Sequence, residues 1–364
     1  METIRKEVYQ VLKTLNEQGY EAWLVGGAVR NHLLGLPISD YDITTNARPQ
    51  VVQACFKEYP QLTIGFKHGT VTVIINGLPI EITTYRQEKT YRDHRHPESI
   101  AFVSELIEDL KRRDFTINAL CLNASDQLYD PLNGQKDLCE RCIRAIGDPN
   151  QRFKEDALRI LRSLRFAAQL AFKIEEKTEA AIFKNFPLLN NISLERKRDE
   201  FLKIIQAPKG AEILQKYYPV FNFVRLRQAF DYPFADYQEI LAYILTDADF
   251  ELRLSKKDNA LIRELIACRT IDISDDKALI NALSSPEQKR ILDFLGAINQ
   301  QDLTERVEML RPYIVTPTSL AISNQELLAH GYQGSAISKK KQELIAMIRQ
   351  QKLRNDNSEL RKVL

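Results

Sequence analysis

The chain has 364 residues, 44% of them hydrophobic, with 51 Lys and Arg against 49 Asp and Glu for a net charge of +2. This length suits roughly two or three domains with ample core, and the composition excludes global disorder. The charge balance excludes a histone-like polycation, so any anion-binding face has to be sought locally.

No apolar run reaches the roughly eighteen residues of a membrane helix, and the charged, amphipathic start METIRKEVYQ lacks the apolar stretch of a signal peptide. A cytoplasmic chain without a membrane span is expected. Of the five cysteines only Cys139 and Cys142 form a CxxC, with neither a second pair nor neighbouring histidines. A zinc site needs about four ligands, so these read as ordinary thiols of a reducing compartment.

In chain order, Ile4, Val8, Val11, Leu12 and Leu15 recur at helical spacing. Residues 21–25 then read as a short strand, Gly26-Gly27 breaks it, and 28–34 read as a helix. Residues 40–44 look like another strand. Residues 70–75 and 78–85 flank Asn76-Gly77, a pair that supplies the positive φ angles of a hairpin turn. Beyond about residue 150 the period becomes helical, with helices predicted over 153–172, 194–205, 211–217, 285–300, 324–330 and 339–351. The fold class is therefore α+β, a small mixed-sheet head followed by an all-α remainder. The last thirty residues carry eight Lys/Arg against three acids, which reads either as a phosphate-facing tail or as a solvated helix surface.

Chemistry is densest in LVGGAVRNHLLGLPISDYDITT, residues 24–45. A glycine pair between strand and helix leaves backbone N–H groups free for a phosphate, and Arg30 lies about one turn further on. Asp40 and Asp42 have the i, i+2 spacing that puts two side chains on one face of a strand. Two adjacent carboxylates repel unless a cation lies between them. A pair of Mg²⁺ ions meets that need, bridging nucleotide phosphates and activating an attacking hydroxyl. The plain alternative is two solvated acids, and the glycine turn and Arg30 upstream weigh against it. Glu81, between Ile80 and Ile82, reads equally as a third carboxylate, as a general base or as a solvent-facing strand residue.

Further on, LKRRDFTINAL places Arg112 and Arg113 where they can reach phosphates, or where they simply begin a basic turn. In RFKEDALRILRSLRFAAQL, Asp156, Arg159, Arg162 and Arg165 recur at threes on the predicted helix. Such a stripe is ordinarily a wet face with i,i+3 and i,i+4 ion pairs. Here Asp156 can accept from an amino group while Arg159 donates to a ring acceptor. Cytosine and adenine both present that donor-then-acceptor order. Guanine and uracil present the reverse and would leave polar groups unpaired.

With GGAVRNHLLG, SDYDI, RRDFTINA and EDALRILRSLRFA in that order, the sequence resembles the class II bacterial tRNA nucleotidyltransferases, the CCA-adding enzymes of the DNA polymerase β nucleotidyltransferase superfamily. The resemblance is close through ISLERKRDEFLKII and returns weakly in the last fifty residues. It implies a catalytic head (1–148), a base-reading neck (149–206), a helical body (207–315) and a tRNA-contacting tail (316–364). It implies that Asp40 and Asp42 bind Mg²⁺ and are catalytic. Gly27, Arg30 and Arg113 would contact the nucleotide, Asp156 and Arg159 would read its base, and Arg162 and Arg165 would help hold it. The reaction implied is addition of C, C and A to tRNA from CTP and ATP, with the acceptor and TΨC arms gripped by body and tail. A CC-adding enzyme and a poly(A) polymerase are the alternatives. Relatives that add only CC tend to have a shortened segment corresponding to 86–102, and here it looks full length, which favours the whole reaction. Asn31 stands where the family usually has Asp, and Ser39 where it usually has Gly. Neither is expected to touch a residue assigned to the chemistry.

Overall fold

The computed structural model describes residues 4–91 and 97–364, the side chains of 88–91 and 97–100 excepted. The chain divides into two compact units, Met1–Phe223 and Val224–Leu364.

The first unit is built on a seven-stranded mixed sheet. Its strands are β1 (Ala22–Val25), β2 (Asp42–Thr45), β3 (Gln61–Leu62), β4 (Thr70–Ile75), β5 (Leu78–Thr84), β8 (Cys121–Leu122) and β9 (Leu128–Tyr129), in the order β3-β4-β5-β2-β1-β8-β9. Two further strands, β6 (Arg86–Tyr91) and β7 (Pro97–Phe102), form a separate antiparallel ladder, so both flanks of the 86–102 segment are strand. Its middle, 92–96, lies outside the described residues. Alternation does the work in β4, where Val71, Val73 and Ile75 are buried. The hairpin turn has Asn76 at φ 51° and Gly77 at φ 79°, as the sequence required.

The pairing of β2 positions the site. On one side it runs antiparallel to β1, with Val25 opposite Asp42, so the chain leaving β1 turns beside that carboxylate. On the other side it runs parallel to β5, with Asp42 opposite Glu81. The strand begins at Asp42 rather than at residue 40. Asp40 precedes it, and pairing is extended backward only by the Glu81 N–H donating to the Tyr41 carbonyl at 3.0 Å.

Helices surround this sheet: α1 (Lys6–Glu17), α2 (Gly27–Leu34), α3 (Pro49–Cys55), α4 (Leu106–Lys111) and α5 (Gly134–Cys139). They are followed by α6 (Pro149–Glu155), α7 (Leu158–Leu170), α8 (Glu176–Asn185), α9 (Leu194–Ile205) and α10 (Gly210–Lys216). The single helix predicted over 153–172 is in fact two. Asp156 adopts an extended conformation (φ −138°, ψ 103°), and its Oδ1 accepts from the Leu158 N–H at 3.0 Å. A short polar side chain has outcompeted helix propagation and starts the next helix instead.

The second unit is helical, with α11 (Tyr237–Ile244), α12 (Lys256–Cys268), α13 (Asp276–Leu283), α14 (Gln288–Asn299), α15 (Thr304–Leu310), α16 (Asn324–Ala329), α17 (Ser335–Arg349) and α18 (Asn357–Arg361). Its last helices close over a small apolar core of Val315, Ile322, Leu327, Leu344, Ile348 and Leu360. No described helix is long and apolar enough to cross a membrane.

Candidate active site

All nine site residues expected from the sequence line one cavity of about 1200 Å³ in the first unit: Gly27, Arg30, Asp40, Asp42, Arg113, Asp156, Arg159, Arg162 and Arg165. β2 contributes Asp42 and the residues just before it Asp40, the start of α2 the glycine turn, and α7 three of the arginines.

The glycine turn is tight against the carboxylates. Gly26 has φ 78°, open to glycine at little cost, and a Cβ there would lie 3.4 Å from Asp42 Oδ2. At Gly27 a Cβ would lie 3.6 Å from Arg30 Nη2. Burial, with the charges of Asp40 and Glu81 beside it, raises the Asp42 carboxyl to about 6, and Arg113 opposes that rise. Arg113 offsets only part of this negative charge, and the hard oxygen donors fit a divalent cation of the Mg²⁺ type. Among the described residues no three His, Cys, Asp or Glu side chains converge as a ready metal-binding group, so the Asp40/Asp42 pair carries this reading. Glu81 is in register with Asp42 on the neighbouring strand, a placement that the hairpin sequence alone left open.

The cations are held by buried acids. Asp109 is fully buried and accepts from Arg112 Nε at 2.9 Å, Arg113 Nη2 at 3.1 Å and Thr44 Oγ1 at 3.1 Å. Burial alone would raise its pKa, but Arg113 and Arg112 hold it below the usual carboxylate value. Asp114 accepts from Arg162 Nε at 2.8 Å and from Asn118 Nδ2 at 3.1 Å. Its burial acts upward, yet Arg162 and Asn118 bring it down to about 2. Asn118 Oδ1 in turn accepts from Arg30 Nη1 at 2.6 Å. Thus Arg162, Asp114, Asn118 and Arg30 form one chain of hydrogen bonds.

Three guanidinium groups also gather about a single ring, with Arg165, Arg30 and Arg162 at 4.2, 4.9 and 5.4 Å from the Phe166 centroid. Arg162 is paired with Asp114, and Arg165 with Glu200 at 2.6 Å. Arg30 is bound by the neutral amides of Asn118 and Asn31. Burial, then repulsion from Arg165 and Arg162, lowers its pKa to about 10, leaving it still charged at neutral pH. The cavity therefore holds a charged guanidinium bound by neutral amides beside two further arginines, which suits a polyanion such as a triphosphate.

The structure corrects two sequence expectations here. Asn31 and Ser39 do touch site residues: Asn31 Oδ1 accepts from Arg30 Nε at 3.0 Å, and Ser39 Oγ donates to Asp40 Oδ1 at 2.6 Å. Asn31 also donates to the Pro37 carbonyl at 2.6 Å, a bond that an aspartate could not make. The α7 arginines are not a wet stripe either. Arg159 is 8% exposed, bonded to Glu155 Oε2 at 3.0 Å and to the Arg112 carbonyl at 2.8 Å. Asp156 and Arg159 share the cavity across the helix break rather than one helical face. Arg196, which the sequence reading did not single out, also lines the cavity and pairs with Asp156 at 3.1 Å.

Residues 22–144 match a family profile described as the Poly A polymerase head domain, and 171–218 one described as a probable RNA and SrmB-binding site of polymerase A. A CCA-adding enzyme of Lactobacillus helveticus is 43% identical over 293 residues, 79% of this chain and 71% of that protein. The chain belongs to the CCA-adding enzyme family. The CCA-adding enzyme of Enterococcus faecalis is 50% identical over 200 residues, 55% of this chain and 49% of that one. The match thus spans about half the length of that curated relative. The crystal structure of the Bacillus stearothermophilus CCA-adding enzyme in complex with CTP aligns with a TM-score of 0.77 at 29% identity, over 97% of this chain and 94% of that one. The α+β architecture is accordingly that of the CCA-adding enzymes.

Proposed function

We propose that this chain adds C, C and A to the 3′ end of tRNA from CTP and ATP and releases pyrophosphate, in the cytoplasm. The observation that carries this reading is the joining, in one cavity, of the Asp40/Asp42 pair with the Asp156 and Arg159 side chains and a cluster of arginines. The carboxylates suit metal-dependent transfer at a phosphate. The Asp/Arg pair suits a base with an amino group beside a ring acceptor, so no nucleic-acid template is needed.

Asp40 and Asp42 would hold Mg²⁺, which when bound lowers the pKa of the attacking hydroxyl and offsets the charge of the triphosphate. The chain's own residues bind and orient. Arg30, Arg113, Arg162 and Arg165 receive the triphosphate, with Gly26 and Gly27 permitting close approach. Asp156 accepts from the N4 amine of cytosine or the N6 amine of adenine, and Arg159 donates to N3 or N1. The tRNA 3′-hydroxyl is then set against the α-phosphate, and pyrophosphate leaves. In this reading residues 1–148 form the catalytic head and 149–206 the neck. The helical remainder, 207–315 and 316–364, grips the acceptor and TΨC arms by backbone and shape.

The test is product sequencing. A tRNA transcript ending at the discriminator base is incubated with Mg²⁺ and with CTP and ATP, separately and together. Addition that stops at CCA is expected. A stop at CC in the presence of ATP would replace this reading by CC addition, and a long A tail by poly(A) synthesis.

A further inference from the structure

The cavity runs on past the residues used so far. Its lining continues along the last turn of α7 to Gln169 and Leu170, and along the end of α9 to Lys203, Gln206 and Pro208. Two contacts hold these stretches together. α7 packs on α9, and the Lys209 N–H donates to the Ala168 carbonyl at 3.1 Å, which ties the turn after α9 to the end of α7. On a third side lies Pro37, whose carbonyl accepts from Asn31, the residue that also holds Arg30. We propose that this distal lobe is a subsite for pyrophosphate, with Lys203 as its charged contact and Gln169 and Gln206 as its neutral ones. This rests on the nucleotide-transfer reading given above.

The order of groups along α7 sets the direction of the nucleotide. At 1.5 Å per residue, Arg159 and Gln169 lie about 15 Å apart along the helix. The base-reading groups stand at the first end. Arg162 lies between, and its charge and that of Arg113 both reach the Asp42 carboxylate. Arg165 and Arg30 follow, gathered about Phe166. A nucleotide with its base at Asp156 and Arg159 and its α-phosphate at Asp40 and Asp42 therefore points its β- and γ-phosphates at Arg30 and Arg165. Those two phosphates leave together, and the lobe lies beyond them.

The chemistry of the lobe fits a departing polyanion. The α7 arginines are fixed by Glu155, Asp114 and Glu200. The Lys203 side chain, in contrast, makes no ion pair or hydrogen bond among the described residues. It is exposed, so its ammonium, on a flexible stem, can meet an anion in the cavity and follow it to solvent. Gln169 is already oriented. Its Oε1 accepts from Arg165 Nη1 at 3.2 Å, which leaves the Nε2 donors for a phosphate oxygen. A single, partly solvated cation suits a product that has to leave, because tight contacts act mainly by slowing dissociation.

The test compares wild type with Lys203→Ala, Lys203→Arg and Lys203→Glu. Pyrophosphate is titrated as an inhibitor of CTP addition to a tRNA transcript, and with Mg²⁺ as a ligand of the free protein by calorimetry. For Lys203→Ala the inhibition constant and the calorimetric Kd should both rise about fivefold. The KM for CTP should rise less than about twofold, because Arg30, Arg113, Arg162 and Arg165 still hold the triphosphate. Lys203→Arg should recover most of the pyrophosphate affinity, and Lys203→Glu should weaken it beyond Lys203→Ala. High salt should shrink the differences, since the ammonium is exposed. Alanine is a good helix former, and circular dichroism checks that α9 is kept. An unchanged pyrophosphate constant would overturn the proposal. So would a KM for CTP that rises as steeply as that constant, which would make Lys203 part of the triphosphate site. A rise in the KM for tRNA in its place would assign Lys203 to an RNA phosphate and overturn it as well. Calorimetry separates this failure from that of the reaction: if wild type adds no nucleotide to tRNA yet binds pyrophosphate through Lys203, the subsite stands and the CCA reading falls.

Discussion

The two units of the molecule bury different things. In the first, Glu7, Arg30, Asp109, Asp114, Asp137, Arg159, Lys197 and Glu200 are all buried, six of them ion-paired to another side chain and Arg30 held by neutral amides. In the second, the only buried polar side chains among the described residues are Ser284 and Ser285. Its ion pairs, such as Arg290 with Glu239 and Arg306 with Asp276, stay partly exposed. Buried charge is costly unless paired, so it persists where a placed charge is needed. The first unit is organised around placing cations and carboxylates at a cavity, the second around apolar closure. Substitutions of charge should therefore matter most in the first unit and substitutions of volume most in the second.

The largest expected effect is at Asp42. Asp42→Asn keeps the shape but removes the charge that would hold a metal. Nucleotide addition should fall by about a thousandfold or more. The melting temperature should hold or rise slightly, because the side chain is buried beside two other acids. Turnover within tenfold of wild type would break the assignment of this carboxylate. At the other pole, Leu344→Ala removes a fully buried side chain from the apolar core of the last helices. It should cost about 2–5 kcal/mol, read from urea unfolding of the full chain. CTP affinity, measured by calorimetry below the transition, should be unchanged. Loss of CTP binding in that variant would mean that the two units do not divide the labour in this way.

Asp114 tests whether the buried acids of the first unit stabilise the fold as well as hold the arginines. Its folded-state pKa of about 2 lies below the ordinary value of 3.8, so its contribution is fully present above about pH 4 and disappears as pH falls through about 2. That shift corresponds to about 2 kcal/mol at neutral pH. Asp114→Asn should be less stable than wild type by about that amount at pH 7, with the gap narrowing as pH is lowered from 4 towards 2. A gap independent of pH would assign the loss to packing that does not distinguish the two protonation states rather than to the contacts with Arg162 and Asn118 that hold the carboxylate charged.

How far the sequence disclosed this site depended on how local each signal was. Asp40, Asp42, Gly27 and Arg30 lie within one short stretch around a strand-turn-helix, and local spacing alone brought them together as candidates that the structure places in one cavity. Glu81 was visible as a strand residue, but its place beside Asp42 depends on the parallel pairing of β2 with β5, which no local pattern encodes. The break at Asp156 was hidden because the apolar period runs on through Leu158 and Leu161. The signal was an aspartate just ahead of a new apolar run, where a side-chain cap competes with the helix. Arg196 lies forty residues from Asp156 and became a site residue only when α9 packed against α7. Asn31 and Ser39 each contact an immediate neighbour in sequence. Treating them as bystanders overlooked the reach of short polar side chains to adjacent groups.

The smallest expected effect makes the comparison sharper than the larger ones do. Arg306 in the second unit pairs with Asp276 at 2.6 Å and also donates to the Ser274 carbonyl, which by distance alone matches the Asp114 pair with Arg162 in the first. The difference is exposure. The Asp276 side chain is 48% exposed and that of Asp114 is 9%. Water screens the first pair and can replace either partner, so Arg306→Ala should cost less than about 1 kcal/mol, and added salt should shrink that cost further. Urea midpoints at low and high salt, set beside those of Asp114→Asn, give the contrast directly. Equal costs for two contacts of equal length would mean that distance, not burial, sets the worth of a charge here. The division between a charge-built unit and an apolar one would then lose its physical basis.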